Sequence, residues 1–117
     1  MKVAVPNTPV RVPGFQFAGI RAGLKESGKR DVALIYADTP ATAAATFTTN
    51  LVQAAPVLVG MERVPQGRLQ AIVINSGNAN AYTGHDGLAV ARDMCAVVEH
   101  ELGIDAVSYT HLRAHET

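Results

Sequence analysis

The segment 75–84 concentrates the residues of this chain that could bind a ligand. Its ten residues include three asparagines, two glycines, a serine and a threonine, in the order Asn75-Ser76-Gly77-Asn78-Ala79-Asn80-Ala81-Tyr82-Thr83-Gly84. The segment follows an apolar run and precedes an amphipathic one. Glycine allows a backbone to approach a ligand closely, and the N–H groups at the start of a helix attract negative charge. The composition and the position together predict a site for an anion.

The apolar residues that follow this segment recur with the period of an α-helix. They are spaced by three and four residues, at Leu88, Ala91, Cys95, Val98 and Leu102. This spacing marks one face of a helix, and Gly103 occupies the position at which a glycine commonly ends one. The pattern predicts a helix over 86–102, so segment 75–84 connects a strand to the start of that helix.

Thr83 and Gly84 are the two hydrogen-bond donors that this arrangement brings to the helix start. Thr83 offers a hydroxyl group, and Gly84 offers a backbone N–H that no side chain obstructs. The positive end of the helix dipole favours negative charge at this point, including the oxyanion that forms during acyl transfer. The alternative is an ordinary strand–helix connection in which Thr83 or Asp86 caps the helix.

Other chemistries find less support in the sequence. Segment 77–84 lacks both the lysine of a Walker loop and the three-glycine pattern of a dinucleotide site. Ser76 lacks the flanking glycines of a hydrolase elbow. His111 and His115 have the spacing of a metal-binding helix, but no apolar face would dock that helix. Cys95 lies on the apolar helix face, which favours a core residue over a nucleophile. We therefore expect no nucleotide, metal ion or other cofactor.

The overall composition is that of a single globular domain. The chain has 117 residues, of which 48% are apolar and 17% are charged. Ten basic residues balance ten acidic ones, which argues against a nucleic-acid partner or a basic membrane surface. No apolar run approaches the roughly 18 residues that a membrane span requires. A single cysteine suits a reducing compartment, so the sequence predicts a cytoplasmic protein.

Periodicity and turn residues predict a mixture of strands and helices before the Asn-rich segment. After an extended arm over 1–13, the predicted elements are a strand over 15–20, a turn over 25–30, a strand over 32–37 that Asp38-Thr39-Pro40 ends, a strand over roughly 44–49, a helix over 53–63 with Pro56 in its first turn, a turn over 65–67 and a buried strand over 69–74. The alanines of 41–50 favour helix whereas its threonines favour strand, and the strand is the prediction adopted.

The last ten residues differ in character from the rest of the chain. Residues 108–117 are polar, hold two of the four histidines and fit neither the helical nor the strand period. We interpret them as a non-native tail, such as sequencing read-through, that lies outside the domain formed by residues 1–107.

Segment 75–84 resembles the signature of the ornithine acetyltransferase (glutamate N-acetyltransferase) family of arginine biosynthesis. Three further stretches resemble the same family in the same order: Gly14-Phe15 with Ala18-Gly19-Ile20; Asp31-Val32-Ala33-Leu34-Ile35; and Ala45-Thr46-Phe47-Thr48-Thr49-Asn50 followed by Ala54-Ala55-Pro56-Val57. Tyr82 is a departure, because the family commonly has a cysteine there. Four ordered matches over residues 14–103 make the resemblance more specific than any one motif.

The resemblance implies an α/β protein of the layered α-β-β-α sandwich type, which is incomplete here. It also implies a reaction, acetyl transfer by a self-cleaved enzyme. Family members are precursors that cleave themselves between an alanine and a threonine. That threonine then moves an acetyl group from N-acetylornithine to glutamate in a ping-pong reaction, and some members also use acetyl-CoA. By motif position, Thr83 and Gly84 are the oxyanion hole of this family.

The resemblance also implies what is missing. The family's nucleophilic threonine lies beyond residue 103, so the catalytic partner is the C-terminal (beta) chain, which forms a hetero-oligomer with this part after cleavage. We expect this chain alone to be inactive. We also expect it to be poorly soluble, because the apolar faces of its strands would be uncovered. Two rival hypotheses are a fragment of a self-cleaving aminopeptidase and a non-catalytic module that binds small anions.

Overall fold

The computed structural model describes residues 11–23, 28–76, 84–105 and 107–112, which form a mixed α/β fold. In chain order its elements are β1 (Phe15–Ile20), β2 (Val32–Thr42), α1 (Ala55–Arg63), β3 (Arg68–Ser76), α2 (Gly84–Leu102) and β4 (Val107–Leu112). The four strands form one sheet in the order β1-β2-β3-β4. The first three are antiparallel neighbours, and β4 runs parallel to β3.

One face of the sheet is covered by both helices. Along β3, buried Leu69, Ala71, Val73 and Asn75 alternate with half-exposed neighbours, as expected for a strand with one face in the core. The core side chains from the sheet and the two helices are Ala55, Val59, Ala71, Val73, Ala91 and Cys95. Half-buried Val32, Leu34 and Tyr36 of β2 extend this cluster on the same face.

The two predicted helices are confirmed. Helix α1 begins at Ala55 with Pro56 in its first turn, where the missing N–H costs nothing. Helix α2 begins two residues earlier than predicted, at Gly84, and its apolar face enters the core at Ala91 and Cys95. Gly103 follows it with φ +65°, and the Ile104 N–H donates to the Glu99 carbonyl at 3.0 Å.

The β1–β2 hairpin and β3 are also as predicted. Phe17 pairs with Ile35 in an antiparallel register, so the chain reverses between β1 and β2. Residues 25–27 of the predicted turn lie outside the described residues, as do residue 24 and residues 1–10 of the predicted arm. Within the part of the chain that the structure describes, no helix is long and apolar enough to cross a membrane.

Two predictions for residues 38–49 are wrong. Strand β2 does not end at Asp38-Thr39-Pro40 but runs on to Thr42, with a shift of its register against β3 between Tyr36 and Ala41. A proline cannot donate to a strand ladder, and an irregularity of this kind accommodates it. The strand predicted over 44–49 is absent, because residues 43–50 have no regular structure and Phe47 packs on Gly60 of α1 instead.

Residues 108–112 belong to the fold, contrary to the prediction that the domain ends at 107. Strand β4 pairs with β3 from Ala71↔Val107 to Ser76↔Leu112. The physical reason is that an unpaired strand edge accepts another strand through backbone groups, whatever the polarity of its side chains. The non-native origin of residues 108–117 stays a prediction.

The second face of the sheet carries apolar side chains that no described element covers. We call it the outer face and define it by Phe15, Phe17, Ile35 and Ile72, which the strand register places on the side opposite the helices. Phe17 is 55% exposed to solvent. Among the described residues, the apolar strands therefore have one covered face and one open face.

Candidate functional site

The candidate site lies where β3 ends and α2 begins. Strands β3 and β4 are parallel and are connected through α2, and their carboxyl ends coincide at Ser76 and Leu112. In α/β folds, ligands commonly bind beside the carboxyl ends of parallel strands, where the helices start. This arrangement puts the entry to the Asn-rich segment and the start of α2 at the type of location that binds ligands.

Gly84 is the first residue of α2, and this is what its predicted role requires. The first four N–H groups of a helix have no acceptor within the helix, and the dipole makes this end positive. Asp86 supplies an exposed carboxylate in the same turn. Its negative charge offsets part of the positive potential at the start of the helix. Thr83 and residues 77–82 lie outside the described residues. The pairing of Thr83 with Gly84 in one oxyanion hole stays a prediction.

Two buried polar side chains occupy the strand ends next to the site. Asn75 on β3 is 5% exposed and Asp31, just before β2, is 3% exposed. The main-chain carbonyl of Asp31 accepts the Ser76 N–H at 2.8 Å, and its carboxylate accepts the backbone N–H of Ala22. Sequence reasoning missed Asp31 as a site residue. The signal that could have identified Asp31 is its position directly before the apolar strand β2. A carboxylate there would ordinarily be expected in a solvent-exposed turn.

Cys95 is a core residue, as its place on the helix face predicted. Its side chain is fully buried, and burial raises the pKa of its thiol to about 11. A thiol with this pKa carries little thiolate near neutral pH, and thiolate is the nucleophilic form. Cys95 therefore stabilises the packing between α2 and the sheet.

Ion pairs join α1 to α2 at a distance from the candidate site. Arg63 pairs with Glu99, and Arg92 pairs with Glu62. The hydrogen bond from Arg92 lowers the pKa of the Glu62 carboxyl below its ordinary value. Glu62, Arg63 and Glu99 border an open cleft of about 310 Å³ that Arg68 and Asp105 also line. Both acidic and basic side chains line this cleft, so it presents no single sign of charge to a ligand.

The described residues contain no group of three or more His, Cys, Asp or Glu side chains that could hold a metal ion. The spacing of His111 and His115 stays without structural support, because His115 lies outside the described residues and His111 is in β4 rather than in a helix.

The sequence model of the ArgJ family matches residues 16–112, which include every described element except the first residue of β1. The chain belongs to the ArgJ family. The match covers both helices and the Asn-rich segment between β3 and α2.

Relatives and solved structures agree with this family membership. The chain is 48% identical over 94 residues to the arginine biosynthesis bifunctional protein ArgJ of Geobacter sulfurreducens, a match covering 80% of this chain and 24% of that protein. It is 52% identical over 92 residues to ArgJ of Caldanaerobacter subterraneus subsp. tengcongensis, covering 79% and 23% of the two chains. The chain thus spans about a quarter of the length of the curated relatives it matches.

The fold is that of solved ArgJ structures. ArgJ of Bacillus halodurans superposes with a TM-score of 0.76 at 40% identity, covering 90% of this chain and 57% of that one. Ornithine acetyltransferase of Mycobacterium tuberculosis, solved in complex with ornithine, superposes with a TM-score of 0.69 at 39% identity, covering 89% and 59%. These similarities confirm the mixed α/β fold class that the sequence predicted.

Proposed function

We propose that this chain is part of an acetyltransferase of arginine biosynthesis and that it supplies the oxyanion hole of that enzyme. In the proposed reaction, a threonine nucleophile outside this chain takes an acetyl group from N-acetylornithine and passes it to glutamate. The start of α2 at Gly84, beside the carboxyl end of β3, carries the proposal. Membership of the ArgJ family and the ornithine complex of the Mycobacterium tuberculosis relative support it.

The chemistry explains why this helix start suits the reaction. Both halves of a ping-pong acyl transfer pass through a tetrahedral intermediate whose oxygen becomes negatively charged. Donors fixed in position before the reaction stabilise that charge without having to reorganise. The Gly84 N–H at the positive end of α2 is one such donor, and the Thr83 hydroxyl is proposed as the second.

The remainder of the enzyme is proposed to cover the outer face. The helices occupy one side of the sheet. On the outer face Phe17 is exposed to solvent, and Ile35 and Ile72 are half-buried. A second sheet packed there would complete an α-β-β-α sandwich, because sheets pack face to face about 10 Å apart through apolar side chains. In this proposal the second sheet includes the beta chain that self-cleavage releases, and the two chains form a hetero-oligomer in the cytoplasm.

Substitution of Thr83 in the full-length enzyme tests the oxyanion hole. Thr83→Ala removes the hydroxyl donor, and we expect turnover with N-acetylornithine and glutamate to fall by about 10²–10³-fold. The matched control is Thr83→Ser, which keeps a hydroxyl group and should retain most of the turnover. Circular dichroism should show the same fold for both variants. Unchanged turnover in Thr83→Ala would contradict the assignment.

A further inference from the structure

Asp31 is a buried carboxylate at the point where three strand ends meet. It immediately precedes β2, and only 3% of its surface is exposed. Its N–H donates to the Ile20 carbonyl at the end of β1 at 2.9 Å, and its carbonyl accepts the Ser76 N–H at the end of β3 at 2.8 Å. Its carboxylate accepts the N–H of Ala22, which follows β1. One residue therefore connects the ends of β1 and β3 to the start of β2.

Burying a carboxylate is costly unless hydrogen bonds stabilise it. The more exposed Asp38 lies within β2 and accepts a hydrogen bond from Gln16 at 2.8 Å. Asp31 differs because it is enclosed and its hydrogen bonds hold backbone groups of other segments. The loss of the Asp31 carboxylate would remove the acceptor of the Ala22 N–H, which lies at an exposed position, and would loosen the position of Asp31 itself.

Ser76 makes the location of Asp31 relevant to catalysis. It is the last residue of β3, and the chain passes from it into the segment that leads to Thr83 and Gly84. Strand ends fray when their backbone groups lack partners, and the Asp31 carbonyl provides a partner for the Ser76 N–H. The position at which the chain leaves the sheet thus depends on where Asp31 is held.

We infer that Asp31 is a positioning residue for acyl transfer: its carboxylate, anchored to the Ala22 N–H, holds the end of β3 so that the donors at the start of α2 are correctly placed. The inference rests on the proposed function. Asp31 does not contact the reacting atoms in this account. It acts through Ser76, and a misplacement of about 1 Å by such a residue can cost about 100-fold in rate.

Three variants of the full-length enzyme test the inference. Asp31→Ala should lower kcat by about 10- to 100-fold and leave KM for N-acetylornithine within about twofold, because substrate binding is not what the residue supports. Asp31→Asn keeps an oxygen that accepts the Ala22 N–H, and it should restore kcat to near the wild-type value. Asp38→Ala, which removes an exposed carboxylate from β2, is the matched control and should leave kcat unchanged.

Ala22→Pro covers the case in which Asp31→Ala does not fold. It removes the N–H donor from an exposed position and leaves the carboxylate in place, and kcat should again fall at constant KM. All rates are measured well below the thermal midpoint of each variant. The inference is overturned if Thr83→Ala lowers kcat while Asp31→Ala or Ala22→Pro does not, and the proposed function then stands. If Thr83→Ala also has no effect, the proposed function and the inference both fail.

Discussion

The backbone of Gly60 in α1 lies against the ring of Phe47, so close that a Cβ atom at residue 60 would stand 2.7 Å from the Phe47 Cε1 atom. This contact explains why residues 43–50 do not form a strand. The segment is held by an aromatic side chain that packs on a helix, and the Ala43 N–H donates to the Gly67 carbonyl at 3.0 Å near its start. A glycine in the interior of a helix normally destabilises it, and here it provides the space for Phe47.

Gly60→Ala should destabilise the full-length protein by about 1–3 kcal/mol, because the new methyl group overlaps the Phe47 ring. Alanine is otherwise the better helix former by about 1 kcal/mol. In a Phe47→Leu background the overlap is relieved, and Gly60→Ala should become neutral or stabilising. Denaturant unfolding of the two single variants and the double variant measures the coupling. An equal effect of Gly60→Ala in both backgrounds would contradict the role of the contact.

Cys95 should react slowly with alkylating reagents in the native protein. Its pKa is raised to about 11 by burial, so its thiolate fraction near pH 8 is about 100-fold below that of a thiol with a pKa of 9.0. Iodoacetamide labelling followed by mass spectrometry measures the rate, and the denatured protein is the control. Labelling at the same rate in both states would show that the thiol is accessible and ionised, contrary to the structure.

The same shift predicts how stability depends on alkaline pH. Between about pH 9 and pH 11 the unfolded thiol has lost its proton while the folded one keeps it, so stability falls as pH rises through this window. Below pH 9 both states are protonated and the contribution is constant. The difference in unfolding free energy between wild type and Cys95→Ala should therefore shrink from about pH 9 upward. A difference that does not change with pH would refute this prediction.

The Glu62–Arg92 pair should stabilise the contact between α1 and α2 only above acidic pH. The pKa of Glu62 is lowered in the folded state, first of all by the hydrogen bond from Arg92. Its contribution is therefore present above the ordinary pKa of 4.5 and is lost as pH falls through the lowered folded value. Glu62→Gln should reduce the thermal midpoint slightly at neutral pH, because exposed pairs contribute little, and not at all at strongly acidic pH.

The matched control for this pair is Asp93→Asn, which removes an exposed carboxylate from α2. Added salt should diminish the effect of Glu62→Gln at neutral pH, since salt screens exposed charges. A Glu62→Gln effect of the same size at both pH values would rule out ionisation of Glu62 as its cause.

Phe17 on the outer face should behave as a buried residue in the full-length enzyme. Phe17→Ala should cost about 3–5 kcal/mol there if a second sheet covers the residue. Val97, an apolar residue of α2 that is 60% exposed, is the control, and Val97→Ala should change stability by no more than about 0.5 kcal/mol. Similar small effects of both substitutions would argue that the outer face stays open in the full-length enzyme.

In the isolated 117-residue chain, by contrast, Phe17 should behave as a solvent-exposed residue. With the outer face open, we expect poor solubility and no cooperative unfolding transition in calorimetry, and replacement of Phe17 by lysine should improve solubility. A soluble monomer with a cooperative transition would show that the described layer of sheet and helices is sufficient for stability.

Local sequence patterns were enough to predict α1, α2, β1 and β3. In α2 and β3 the periodicity of apolar residues marks the side that is buried, whereas β1 shows the alternation of a strand although all six of its residues are exposed. The five apolar positions from Leu88 to Leu102 needed no knowledge of what they would contact. The course of residues 38–50 could not be predicted in this way, since Pro40 and the threonines are compatible with several local conformations. The register shift in β2 and the docking of Phe47 on Gly60 decide between them.

The sequence by itself determined the family, the order of most elements and the position of the Asn-rich segment before a helix. These features depend on residue types and spacings that lie close together along the chain. Only the tertiary structure decided that Asp31 joins the end of β1 to the end of β3, that β4 pairs at the free edge of β3, and that the described elements leave one apolar face uncovered. Such features depend on contacts between residues far apart in the chain and on which backbone groups find a partner, and a local pattern of residues carries neither.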